Sequence, residues 1–155
     1  MVPSLNGPGF LGTHAPFQSH LSLVLILLSL LLLSVGVFLA RRRRFSAHGW
    51  VQTAGVAVNA LAVLRVMVAS FVTHILPGIP ARLLEGDYGV TSLHALVGTC
   101  GLLFGIFVAL RGNGLVPPAL RFKNYKLFMR LAYGLYLAAA LLGALVYYEL
   151  YFLGI

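Results

Sequence analysis

Seven polar side chains lie in or at the ends of long apolar runs, where chemistry would need them: His48, Gln52, Asn59, Arg65, His74, His94 and Glu149. An ionisable group at the centre of a bilayer costs on the order of 2.5–3.5 kcal/mol on insertion scales, so each raises a functional question. Two neutral imidazoles on facing helices are what a bis-histidine haem b requires, and they also suit a copper or zinc ion. His74 and His94 are the candidate pair, joined by a short connection between residues 76 and 89. Glu149 extends the metal alternative to a two-histidine, one-carboxylate set. Arg65 stands about 13.5 Å below His74 along a straight helix and would offset a buried acid or a haem propionate. His48 is a separate candidate metal ligand, because about 39 Å of helix divides it from His74. Against these roles stand plainer ones: histidines hydrogen-bonded in the structure, a glutamate reaching to water, and an arginine tethering helices or a partner subunit.

The elements that would position these groups follow from composition. The chain has 155 residues, 60% hydrophobic and 9% charged, with a mean hydropathy of +0.96. A soluble domain carries about a quarter charged residues. The pattern is that of an all-α integral membrane protein with one four-helix domain over residues 21–155, preceded by an uncharged Gly/Pro-rich tail, residues 1–20. The expected helices cover 21–40, 47–76, 89–110 and 128–152, each long enough to cross about 30 Å of hydrocarbon. Arg41 to Arg44 follow the first apolar run instead of preceding it, which distinguishes a retained helix from a cleaved signal peptide.

Nine of the eleven basic residues (Arg41–Arg44, Arg111, Arg121, Lys123, Lys126 and Arg130) gather at one end of the four runs. The positive-inside rule makes that end cytoplasmic and both termini extracytoplasmic, in a multi-pass protein of the cell's inner (cytoplasmic) membrane. His74, His94 and Glu149 then share the outer end. On helix two, His48, Gln52, Asn59, Ser70 and His74 fall within about 80° of one another at 100° per residue, a polar stripe that must face protein or water. As a proton or ion path the stripe lacks a mid-membrane carboxylate. Gly101 and Gly105, with Gly134, Ala138, Ala139, Gly143 and Ala144, offer close helix contacts.

Other chemistries are disfavoured by the sequence. The lone Cys100 forms no internal disulfide or multi-cysteine site. Three acidic residues leave little room for paired-carboxylate catalysis, and no nucleophile-elbow, zincin or phosphate-loop motif occurs. The +8 charge lies in loops of an apolar chain, where it marks topology and anionic lipid, not nucleic acid.

From residue 48 onward the chain resembles the DUF420 family of small membrane proteins of bacteria and archaea. The resemblance rests on His48 opening a long helix, on Tyr88 and His94 leading into helix three, and on Asn124-Tyr125-Lys126, Arg130, Tyr133, Tyr136, Gly143, Val146 and Tyr147. It implies histidines that handle metal or haem near terminal oxidases, here His48, His74 and His94. Asn124 departs from the pattern, since a histidine usually precedes that family's last helix, so an inner pairing with His48 is degraded and the outer pair is favoured. The leading expectation is a small subunit of a respiratory or other electron-transfer membrane complex, not an enzyme by itself, ligating haem b or a metal ion through His74 and His94. The alternative is an accessory or assembly subunit without a cofactor, surrounded by lipid and bound to other subunits of a larger complex.

Overall fold

The computed structural model describes residues 7–153, apart from the Asp87 side chain. Residues 1–6 of the expected tail and the last two residues of the expected domain lie outside that range. Four antiparallel helices form the chain: α1 (Phe17–Arg41), α2 (Phe45–Gly78), α3 (Gly86–Gly112) and α4 (Tyr125–Leu153). All four are long and apolar enough to cross a membrane. The first three helices start two to four residues before the sequence boundaries, and α4 starts three before, because the polar lead-in turns have no apolar periodicity to announce them.

The connections show why the helices end where they do. Arg43, in the left-handed region at φ 58°, turns the chain between α1 and α2. At the end of α3, Gly114 adopts φ +77° and its N–H reaches the Arg111 carbonyl, while Leu115 N–H reaches that of Leu110. That pair of bonds is a Schellman stop, which a Cβ at Gly114 would strain. Asn124 opens α4 by accepting the Leu127 N–H at 3.3 Å.

α2 is not a uniform α-helix. Residues Val63–Met67 and Phe71–Ile75 are π-helical turns, and a 3₁₀ turn, Leu76–Gly78, closes it. Each π turn inserts one residue and so rotates everything beyond it by about 100°. The polar stripe expected at a constant 100° per residue therefore breaks: Gln52 and Asn59 turn into protein, whereas His74 is exposed.

α1 packs along α2, and α3 along α4, more extensively than the two hairpins pack on each other. The common core is small, formed by Leu33, Val56 and Tyr136 with Ile106, Ala109 and Tyr133 against it. Between the lower halves of α2 and α3 an apolar groove of about 390 Å³ remains open, lined by Val56, Ala60, Ile106 and Leu110 among others. Many leucines point outward, as lipid-facing helices require.

Candidate functional site

On the α1–α2 seam, side chains of both helices bond to backbone carbonyls opposite. Ser29 Oγ donates to the Gly55 carbonyl at 2.9 Å, Gln52 Nε2 to that of Leu33 at 3.1 Å, and His48 Nδ1 to that of Gly36 at 2.8 Å. A carbonyl accepts only, so the His48 proton sits on Nδ1. Asn59 is buried on the same helix at 6% exposure. The stripe read from the sequence is thus, over its first half, the contact with α1.

His94 is used in the same way on the other hairpin. Its Nδ1–H donates to the Ala139 carbonyl at 3.0 Å, and its ring rests on Gly143, where a Cβ would meet Cε1 at 2.8 Å. His94 therefore faces α4. His74 lies on an exposed surface of α2, tied in only through its carbonyl, which accepts the Tyr88 hydroxyl at 3.3 Å. His94 enters α3 six residues after Tyr88, about 9 Å further along the axis. The structure thus turns the two rings to different neighbours, His94 to α4 and His74 to an exposed surface of α2. Among the described residues, no three His, Cys, Asp or Glu side chains gather as a metal set.

The remaining candidates are dispersed. Arg65 sits in the first π turn of α2, exposed, with no hydrogen bond or ion pair among the described residues. Glu149 is half-buried at the far end of α4, with Oε2 enclosed and without a hydrogen-bond partner among the described residues. Cys100 is a free, exposed thiol. Arg82 pairs with Glu85 at 2.6 Å and lies 3.9 Å from the centre of the Tyr88 ring, which holds the α2–α3 connection together.

The most completely engaged imidazole was not among the sequence candidates. His20, in the first turn of α1, is fully buried at 0% exposure beneath residues 7–16. The N–H groups of Phe10 and Leu11 donate to its Nδ1 at 2.6 and 3.0 Å. Its Nε2 is 2.8 Å from Thr13 Oγ1, which is 2.7 Å from the Tyr147 hydroxyl of α4. Phe10 stands edge-on to the ring at 5.1 Å, and Gly9 packs flat on it, leaving no room for a Cβ. Reading residues 1–20 as a tail hid this residue. The available signal was Pro16, a residue that often begins helices, immediately before Phe17. No family model matches the chain, and no curated protein or solved structure is similar to it.

Proposed function

We propose that this protein is an accessory or assembly subunit of a larger membrane complex, held laterally through the face of α2 that carries Arg65. The observation behind this reading is a mismatch between α1 and α2. The pairs 29/55, 33/52 and 36/48 keep one antiparallel register, and continuing it brings Arg65 opposite residues 19–20, the first turn of α1. α2 has 34 residues against 25 in α1, so an apolar stretch runs on beyond Arg65 without α1 beside it. If Arg65 lies at the interface, that stretch stands out of the hydrocarbon and needs a protein cover. A tilt large enough to submerge all of α2 would instead draw an unpaired guanidinium into lipid. A neighbouring subunit with a carboxylate at that depth resolves both difficulties. Leu61, Leu64, Val68 and Val72, around Arg65, are all exposed.

The basic residues favour a cytoplasmic end at the 41–45 and 112–125 connections, with both termini outside, in the cytoplasmic membrane. A cytoplasm-dependent reporter fused to Ile155 should stay silent. The respiratory setting is what the family resemblance offers for the partner complex. Photocrosslinking from Leu64 in native membranes should capture one partner polypeptide in fixed ratio, whereas Leu141, on the outward face of α4, should not. Arg65→Glu should abolish the adduct. Recovery of the chain alone, monomeric and stable, would overturn the reading.

A haem or metal reading keeps one supporting feature. With Nδ1–H on a carbonyl, His94 leaves Nε2 as an electron-pair donor, the posture of a ligating histidine. A Soret band or stoichiometric metal in purified protein, lost in His94→Ala, would replace the accessory assignment.

A further inference from the structure

The seam between α1 and α4 is pinned by two hydroxyl pairs, Ser34 with Tyr133 at 2.9 Å and Ser19 with Tyr151 at 2.8 Å. The first pair fixes the register at the basic end. Arg41 is seven residues after Ser34, and Lys126 is seven before Tyr133. Seven residues are about 10.5 Å of helix and fall about 20° short of two turns. Both positions therefore stand on the facing sides of their helices, at one level, across an axis-to-axis gap of about 8–10 Å. Arg130 lies one turn nearer the membrane centre on α4, about 60° round from Tyr133. Arg42 completes the group, its guanidinium 5.2 Å from the centre of the Phe38 ring. All four cations are exposed.

The sequence gives these cations no acidic neighbour. Residues 37–50 and 108–130, which make up this end of the bundle, contain no Asp or Glu; Glu85, Asp87 and Glu149 belong to the other end. Like charges brought into register repel, and Arg130 stands within an apolar helix, where a guanidinium turned to lipid is costly. A phosphate relieves both, since arginine offers it a planar fork and lysine a point charge. Further along the seam the surface suits acyl chains. Leu31 and Phe38 of α1, with Leu137 and Leu141 of α4, lie within about 80° of the Ser34–Tyr133 direction, on the flank that holds Arg130. All four are exposed, whereas the opposite flank carries the buried Leu33, Ala132 and Tyr136. The ligand that neutralises the foot of this furrow and covers its wall is an anionic head on hydrocarbon chains.

We propose that the foot of the α1–α4 furrow binds an acidic phospholipid, its phosphate between Arg41 and Lys126 with Arg42 and Arg130 alongside, and its chains along Leu31 and Leu141. A zwitterionic lipid brings its own ammonium beside the phosphate and leaves the cations uncompensated, so the site selects a net-anionic head. The lipid ties α1 to α4, which pack on each other less extensively than the helices within either hairpin. The furrow is apart from the α2 face that carries Arg65, so this site stands or falls independently of a partner subunit there.

The test uses the full chain in phosphatidylcholine nanodiscs with a minor share of phosphatidylglycerol, the acyl chains of one lipid or the other carrying bromine. Leu31→Trp, in a Trp50→Phe background, places the only indole on the furrow wall, where bromine quenching reports which lipid lies beside it. Brominated phosphatidylglycerol should quench as though enriched about fivefold over its bulk share, the factor that one basic contact contributes near an anionic surface. Arg41→Gln with Lys126→Gln should return it to the bulk share, whereas the charge-preserving exchange of Arg41→Lys with Lys126→Arg should keep the enrichment. Arg111→Gln with Arg121→Gln should keep it too. That pair removes two charges from the same end but off the furrow, where Arg111 lies over the Phe122 and Tyr125 rings and Arg121 is bonded to the Val116 carbonyl. Millimolar inorganic phosphate at constant ionic strength should leave the quenching unchanged. Equal quenching by both lipids, a first glutamine pair that loses no more than the second, loss in the exchanged pair, or displacement by inorganic phosphate overturns the proposal.

Discussion

The two hairpins hold themselves together by different means. α1 and α2 are joined by polar side chains that reach across to backbone carbonyls, from Ser29, Gln52 and His48. α3 and α4 are joined by rings seated on glycines: Tyr136 over Gly105, His94 over Gly143, and the Tyr125 hydroxyl over Gly112. In lipid, burying a leucine against another helix gains little, so association depends on hydrogen bonds and on close contact. Each hairpin has taken mainly one of those routes. His94 uses both, a carbonyl bond and a glycine seat, and on the other hairpin Gln52 does the same, bonding to the Leu33 carbonyl and packing on Gly36. A seam built on fit should tolerate added volume poorly, and a seam built on bonds to carbonyls should tolerate loss of a bond well.

The largest effect is therefore expected from added volume on α3. In Gly105→Leu the new side chain meets the buried Tyr136 ring, which has α1 and α2 residues of the core on its far side and no room to retreat. A loss of about 3 kcal/mol in reversible detergent unfolding follows from overpacking. The α1–α2 hairpin should keep its exchange protection in this variant. Equal loss of protection in both hairpins would show that they fold as one seam, and the contrast would fail.

The sequence made the four crossings legible because lipid imposes uninterrupted apolar runs, and the charges between them stood out. It also showed that Gln52 and His48 belong to a stripe that must face protein or water. It could not show which atoms they meet, because those are carbonyls of Leu33 and Gly36, groups every residue possesses. Ser70 and His74 were placed on the same stripe by assuming a constant α-helical period, which the π turns at Val63–Met67 and Phe71–Ile75 break. His20 escaped notice for a different reason: its partners are backbone amides of a Gly- and Pro-rich loop, and no periodicity marks such a loop. Asn124, set apart by its departure from the family pattern, proves to be the cap of α4.

A smaller effect of opposite sign sharpens the comparison. The Tyr136 hydroxyl is buried on the α3–α4 seam without a hydrogen-bond partner among the described residues. Tyr136→Phe keeps the ring on Gly105 and removes the unsatisfied oxygen. The variant should gain about 1 kcal/mol in the same unfolding assay. Destabilisation by that amount would mean that the hydroxyl serves a partner subunit or a bound water, and that the seam is not held by fit alone.

The smallest effect is expected where the bond looks best placed. Ser29 is buried at 1% exposure and its hydroxyl crosses to α2 at 2.9 Å. The Gly55 carbonyl that it reaches is already within the α-helical ladder of α2, so Ser29→Ala leaves no orphaned acceptor, only a lost second bond. Gly55 packs against Leu33 at the same place, and that contact survives the substitution. The expected cost is about 0.6 kcal/mol, the typical value for a side-chain bond between membrane helices. A cost several times larger would put the α1–α2 seam in the same class as the glycine seats, with geometry at Gly55, and not the hydrogen bond, setting how closely the two helices approach.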